Sequence, residues 1–294
     1  MSTVHIPVLL KETVEALSPK SGDVFVDATL GGGGHTEALL SFDGVSVIAF
    51  DADEMAIERS KVRLKKFGDR VTFVHSNFRH LKPELELLGV KEIAGALFDL
   101  GLSSDELEQS GRGFSFKGDE PLHMGFDPKQ SFTAEDLLAH LSQEALATII
   151  KVYGEERFSW KIAGAVVEAR NVGPIKTTAQ LREIIEKAVP KSYARGRVHP
   201  ATKTFQALRI AVNDEYDSAK DGFEGAWKLL RKRGKLAVIS FHSGEDRIAK
   251  VFMKRKEEAE EGERLFKKPV KAGAEELSAN PRARSAKLRV SIKN

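Results

Sequence analysis

The stretch Phe25–Leu40, FVDATLGGGGHTEALL, sets four consecutive glycines between a strand-like run and a helix-like run. Asp27 stands just before the glycines and His35 just after them. Glycine lets a backbone turn tightly and lets a ligand approach it closely. A strand, a glycine-rich turn and a helix N-terminus together make a site for a nucleotide-like cofactor. Asp51 closes the next apolar run, 20 residues after Gly31, where an acid can accept both ribose hydroxyls.

Two details narrow the cofactor. Gly31 and Gly33 fit the dinucleotide pattern G-x-G-x-x-G, but Thr36 occupies its third glycine position. Asp27 would crowd a pyrophosphate, whereas it suits a cationic amino-acid moiety such as that of S-adenosylmethionine. Asp99 closes a fourth strand-like run, and ligands of open α/β sheets bind outside the carboxyl ends of strands. Asp27, Asp51 and Asp99 are therefore expected to project toward one crevice. Phe78, after the third strand, could stack on an adenine or pack in the core.

Short apolar strands at Val24–Asp27, Val45–Phe50, RVTFVHSNF and IAGALFDLG alternate with helical patterns, including Asp53–Lys66. That alternation predicts an α/β fold with a parallel sheet. Residues 101–130 are rich in Gly, Ser and charge and read as a long loop, a kind that is usually functional or disordered. Helical patterns follow from Thr133, with Thr133–Asp136 as a capping pair and Thr178, near Arg182, as a second start. A long helix broken around Asn213–Asp221 leads to a further strand, KLAVISFHS. The charge run KRKEEAEEGERL reads as a solvated helix. The expected division is a discontinuous sheet domain, 1–104 with 200–294, and an inserted loop and helical substrate-recognition domain, 105–199.

The 294 residues are enough to bury a sizeable core, and 41% hydrophobic with 30% charged residues is an ordinary soluble composition. There is no cysteine, which excludes disulfides, thiolate metal sites and a cysteine nucleophile and fits a reducing cytoplasm. Apolar runs such as VSVIAF are far too short to span a bilayer, and the first residues lack an export signal. No membrane partner and a cytoplasmic location are expected. The net charge is only +3, but basic residues cluster in PKSYARGRVHPATKTFQALR, LLRKRGK and NPRARSAKLR. Three clusters late in one chain point to a polyanionic partner.

Seven blocks, HIPVLLKETVEAL, DATLGGGGHTEALL, DLGLSSDELE, RGFSF, HPATKTFQALRIAVNDE, ISFHSGEDRIAKVFM and NPRARSAKLR, run in order from His5 to about Arg289. Together they resemble the bacterial small-subunit (16S) ribosomal RNA (cytosine-N4)-methyltransferases of the MraW/RsmH type. The resemblance implies a class I, Rossmann-like S-adenosylmethionine-dependent methyltransferase sheet with an inserted helical domain. It implies S-adenosylmethionine as methyl donor and a cytidine near the decoding centre of small-subunit rRNA as acceptor, in naked RNA or in the assembled small subunit. Cofactor contacts carry over to Gly33, Gly34, His35, Asp51, Phe78 and Asp99, with Asp27 added from the residue reading. The family's usual glutamine in LGVSSxQL is Glu106 here, so an amide donor is lost. The family's PLDMRMD is PLHMGFD here: His123 replaces an acid and Gly125 an arginine.

The chemistry suggests further candidates. Cytosine's exocyclic amine is a poor nucleophile, so an acceptor that polarises an N–H bond would help. Asp99 is one such acceptor, and Ser103 and Ser104 could hold the base or cap the loop. The amino-methylating D/N-P-P-Y/F motif is absent at this strand. A flipped base favours an aromatic face, which Phe114 and Phe116 could give, with Arg112 on a phosphate; both rings could equally pin the loop to the core. His199, Lys203 and Arg209, with Gln206, could form a phosphate-facing stripe on one helix. His242 could be a base, although a structural hydrogen bond is its commoner role. The histidines lack zinc-site spacing, and no metal is expected. Two rival functions remain at this point, a nicotinamide-dependent oxidoreductase and a non-catalytic RNA-binding or ribosome-assembly factor that keeps the fold. Methylation of DNA or protein is a third, which fold alone does not separate.

Overall fold

The computed structural model describes residues 7–102, 110–196 and 198–294. The chain divides into two compact units, one of residues 1–103 with 216–294 and one of 104–215.

The first unit opens with α1 (Leu10–Leu17), β1 (Val24–Asp27), α2 (Gly34–Leu40), β2 (Ser46–Asp51), α3 (Glu54–Leu64), β3 (Val71–His75), α4 (Leu81–Leu87) and β4 (Ile93–Asp99). The second unit holds α5 (Ala134–His140), α6 (Gln143–Gly154), α7 (Ser159–Val172), α8 (Thr178–Ala188), the single turn α9 (Lys191–Ala194) and α10 (Ala201–Asn213). The chain returns to the first unit with α11 (Glu215–Leu229), β5 (Leu230–Ser240), α12 (Ser243–Glu258), β6 (Gly262–Arg264), α13 (Ala274–Ala279) and β7 (Lys287–Lys293).

The seven strands form one sheet in the order β3-β2-β1-β4-β5-β7-β6. β1 through β5 pair in parallel, and β7 runs antiparallel to both β5 and β6. The order shares 3-2-1-4-5 with dinucleotide-binding sheets and departs where β7 inserts. This is the expected class I methyltransferase sheet.

Alternation along the strands explains why both faces are dry. Phe25, Val47, Ala49, Leu97, Ala237, Ile239 and Leu288 join one apolar layer with α1, α2 and α3. Val26, Ile48, Phe50, Ala96, Phe98 and Val238 join the opposite layer with α4, α11 and α12. Phe25, Phe50, Phe98, Phe223 and Trp227 are all essentially sealed from solvent, each worth about 1.5–3 kcal/mol of transfer free energy. The strands therefore read as near-continuous apolar runs, as buried parallel strands do.

In the second unit the caps locate the helices. Thr133 and Asp136 form a reciprocal capping box before α5. Before α8 the box is Thr177 with Gln180, one residue earlier than expected, because only Gln180 can reach back to the cap N–H. α10 falls in the second unit, whereas the sequence division began the sheet domain at 200. Its buried face, including Phe205, Leu208 and Val212, faces the helical core. Asp214, at φ 48, is the left-handed break that ends it, a conformation that aspartate tolerates better than most residues.

Three expectations change. The charge run after Lys254 ends in a strand, β6, rather than continuing as helix. The block NPRARSAKLR leads into β7, an interior strand. Five cations of two basic clusters also have partners inside the first unit. Arg231 pairs with Asp23, Arg233 with Glu263, and Lys287 and Arg289 with Asp246, while Lys235 Nζ donates to the carbonyls of Ala16 and Leu17. No helix among the described residues is long and apolar enough to cross a membrane.

Candidate active site

The glycine turn is held from both sides by its own chain. The Ala28 N–H donates to Leu97 O on β4 and the Leu30 N–H to Phe50 O on β2, which pins the chain at the carboxyl edge of the sheet. Gly31, at φ 48, donates its N–H to Asp51 Oδ2 over 2.8 Å. From α3, Ser60 Oγ donates to Gly31 O and Arg63 Nη1 to Gly32 O. Gly33, at φ 73, is the N-cap of α2. A Cβ at Gly33 would meet Ser60 Oγ at 3.2 Å, and one at Gly34 would overlap the Pro7 ring. Two of the four glycines thus admit the protein's own neighbours.

Three carboxylates end neighbouring strands, as expected, but they face different surroundings. Asp51 is half-buried, with Oδ2 on Gly31 N–H and Oδ1 accepting the Asp53 N–H at 2.8 Å. Asp27 is 1% exposed and turned onto the turn itself, where Oδ2 accepts the Thr36 hydroxyl at 2.7 Å and Oδ1 the Thr29 N–H at 3.1 Å. Burial raises its pKa against the lowering effect of those bonds. Asp99 is more strongly perturbed than Asp27. Burial first, then the charges of Asp27 and Glu245, push its carboxyl well above the usual range. Its Oδ1 is buried without a hydrogen-bond partner, and its Oδ2 lies 3.6 Å from His35 Nδ1. The other nitrogen of buried His35 is 3.1 Å from Val8 O. Thr29 Oγ1 accepts the Asp99 N–H at 2.7 Å and so ties the turn to β4.

Phe78 packs edge-on to Phe98, with centroids 5.6 Å apart, and its ring fills the space beside Gly222 on α11. His242 is the N-cap of α12: Nδ1 accepts from the Gly244 and Glu245 N–H groups, and Glu245 Oε2 accepts in return from Phe241 and His242. Its Nε2 is 3.0 Å from Glu245 Oε1, at ion-pair distance but out of line for a hydrogen bond. With Nδ1 committed to the cap, this imidazole serves structure rather than general base catalysis.

Ser103, Ser104 and Glu106 lie outside the described residues. In the second unit, the candidate RNA residues have partners within the protein. Arg112 Nη1 donates to the carbonyls of Gly125 and Phe126. Phe114 is buried against Phe126, and Phe116 stacks on His199 at 4.6 Å and meets Phe205. His199 also contacts Glu186, Lys203 reaches Glu155 O, Gln206 reaches Tyr153 O, and Arg209 clasps Glu215 through two bonds. The two departures at PLHMGFD are coupled: the Gly125 N–H donates to His123 Nδ1 at 3.0 Å, and a Cβ at 125 would lie 2.7 Å from His123 Cε1. The imidazole occupies the space that the missing side chain leaves.

The residues that sequence reasoning missed are Thr29, Thr36 and Glu245. Thr36 was visible only as a failed third glycine, yet its hydroxyl is the donor that holds Asp27. Among the described residues no Lys or Arg lies within ion-pair distance of Asp27 or Asp99, and no cluster suits a metal ion. A ligand with positive charge near these carboxylates fits the site, whereas an anionic pyrophosphate would add to their repulsion.

Comparison with known proteins agrees with this geometry. Ribosomal RNA small subunit methyltransferase H of Sorangium cellulosum is 48% identical over 97% of this chain and 89% of its own. The protein of that name from Symbiobacterium thermophilum is 44% identical over 100% of this chain and 98% of its own. The one from Sulfurihydrogenibium sp. is 45% identical over 97% of this chain and 98% of its own. The profile of the MraW methylase family matches residues 2–294, and the chain belongs to that family.

Proposed function

We propose that this protein transfers a methyl group from S-adenosylmethionine to N4 of a cytidine in small-subunit ribosomal RNA, near the decoding centre. The observation that carries the reading is the buried pair Asp27 and Asp99 at adjacent strand ends, with His35 beside Asp99 and, among the described residues, no paired Lys or Arg. Family membership and the names of the relatives support the substrate. The cytoplasm, as a ribosome's compartment, and the assembled subunit as substrate belong to the same proposal, and so does substrate recognition by the helical unit.

The residues divide the work as follows. Asp51, fixed at the end of β2 by the Gly31 and Asp53 N–H groups, is placed to accept ribose hydroxyls. Gly33, Gly34 and His35 form the buried start of α2 and bring its N-terminal backbone to the carboxyl edge of the sheet, and Phe78, packed on Phe98, is the ring proposed for the adenine. The cofactor, when bound, supplies a methyl group on a sulfonium. Its charge disperses during transfer, so placement and exclusion of water matter more than an oxyanion hole. Cytosine's amine must shed a proton, and Asp99 Oδ1 is the atom suited to take it. Its raised pKa makes it a stronger acceptor than an ordinary aspartate. Ser103, Ser104, Glu106, Arg112, Phe114, Phe116, His199, Lys203 and Arg209 stay as proposed contacts, those described acting through the loop and helices that they order.

The test is transfer from labelled S-adenosylmethionine to small subunits lacking the modification, with the product nucleoside identified and Asp51→Ala run in parallel. N4-methylcytidine from the wild type, lost in the variant, is the expected result. Cofactor and RNA binding without transfer would instead favour a non-catalytic assembly factor.

A further inference from the structure

The candidate residues of HPATKTFQALR are partnered within the protein, and a second basic surface of the helical unit is not. No Asp or Glu occurs from Lys187 to Asn213. At the N-terminal end of α7, the Arg157 guanidinium lies 4.8 Å from the Phe158 ring centroid and 4.6 Å from that of Tyr193. Lys161, one turn on, has its Nζ 6.0 Å from the same Phe158 ring. The two rings meet edge to face with centroids 4.8 Å apart. Tyr193 is fixed there by its hydroxyl, which donates to buried Glu156 over 2.5 Å; burial first, then that bond, push the phenol up to about 12. Lys191 and Arg195 flank Tyr193 and are exposed, and Trp160, in the first turn of α7, is 54% exposed. Among the described residues no carboxylate lies within ion-pair distance of Arg157, Lys161, Lys191 or Arg195.

We propose that this patch, Arg157, Phe158, Trp160, Lys161, Tyr193 and Arg195, is a docking surface for an unpaired RNA strand; the inference rests on the rRNA reading and adds which surface of the helical unit meets the RNA. Two cations over ring faces, Arg157 and Lys161, with exposed Lys191 and Arg195 either side of Tyr193 in sequence, match what single strands require, a phosphate-tracking charge with platforms for bases. A guanidinium already stacked on two rings is preorganised to sandwich a base or to meet a phosphate at little ordering cost. A simple solvated face would not need a buried glutamate to lock one of its rings.

Trp160 gives a direct readout. The only other tryptophan, Trp227, is 2% exposed and lies in the first unit, so the solvent-exposed emission belongs to Trp160. A single-stranded RNA oligonucleotide is titrated into the full-length protein, with emission and filter retention both followed. Binding is expected to quench the exposed emission. Arg157→Gln with Lys161→Gln is expected to weaken binding by about tenfold and to reduce the salt slope by roughly 1.4, two strand phosphates' worth. Trp160→Ala should weaken binding with the salt slope kept. In methyl transfer to small subunits, the loss should fall on KM for the subunit and spare KM for S-adenosylmethionine. Unchanged affinity and salt slope in the charge variant would overturn the proposal, as would equal quenching by heparin with no preference for RNA. Because the oligonucleotide assay needs no methyl transfer, a protein that binds as expected but does not methylate would sink the enzymatic reading and leave this surface standing.

Discussion

His35 Nδ1 lies 3.6 Å from Asp99 Oδ2, while Asp99 Oδ1, on the same carboxylate, is sealed from water with no hydrogen-bond partner. One oxygen has a basic neighbour and the other is left bare. Asp99→Asn keeps the shape and removes the charge that burial opposes. The ligand-free protein is expected to gain stability, on the order of a few °C in Tm, while methyl transfer falls by about a hundredfold or more. Calorimetry and a transfer assay on the same preparation check both; a variant that loses stability would remove Asp99 from the site's electrostatic account.

The same carboxyl sets a pH dependence. Its folded pKa is raised, so the ionised form that accepts a proton is lost as pH falls through a value above the ordinary aspartate range. The acid limb of kcat is expected above that of an exposed aspartate, with activity rising toward neutral pH. Single-turnover rates from pH 5 to 8, that window taken as roughly the physiological one, would show no such limb if the amine's proton left directly to water.

Asp246 makes the opposite case. Burial alone would raise its carboxyl, but hydrogen bonds from Arg289 and Lys287 outweigh that and hold it below the usual range. A depressed folded pKa gives stability that is present above the unfolded pKa and lost as pH falls through the folded one. Asp246→Asn should cost about 1–3 kcal/mol at pH 7 and converge on wild type in strong acid, below both pKa values. Denaturant unfolding across that range tests the sign.

Gly34 and Pro7 should show coupling. Gly34→Ala puts a methyl group into the Pro7 ring, and overpacking of this kind costs about 1–3 kcal/mol. Pro7→Ala should recover most of that loss in a double-mutant cycle. Additive effects would mean that the glycine answers to something other than Pro7.

His123 and Gly125 are expected to behave as one unit. Gly125→Arg alone should destabilise, because its Cβ meets the imidazole. His123→Asp together with Gly125→Arg should be tolerated better than the sum of the two changes. Tm and transfer rates for the four proteins of the cycle decide it.

The sheet and its turn were legible because buried parallel strands announce themselves as short apolar runs ending in acids. Asp27, Asp51 and Asp99 sit where that pattern put them. The capping pair at Thr133–Asp136 was equally plain, and the break at Asp214 fell within the interval expected. β7 was not read, although Leu288, Val290 and Ile292 alternate cleanly. Lys287 and Arg289 looked like a polyanion signal, and only the fold reveals Asp246 as their partner. The same holds for Lys203 and Arg209, whose helical spacing was correct but whose partners, Glu155 O and Glu215, are set by packing. Spacing shows which side chains share a face, not whether that face meets water. Arg157 and Tyr193 are far apart in sequence, and no local pattern could have joined them.

The seam between β4 and β5 bears on how the chain is made. β5 emerges from the ribosome only after the whole helical unit has been synthesised. Until then β4 carries a bare edge of backbone N–H and C=O groups, the kind of edge that recruits other strands. The helical unit, rich in local contacts, can finish folding in that interval. Nascent chains halted near residue 215 should therefore display a protease-resistant helical unit tethered to a half-sheet that aggregates, and the yield of soluble protein should depend more on how quickly β5 arrives than on the final stability of the sheet.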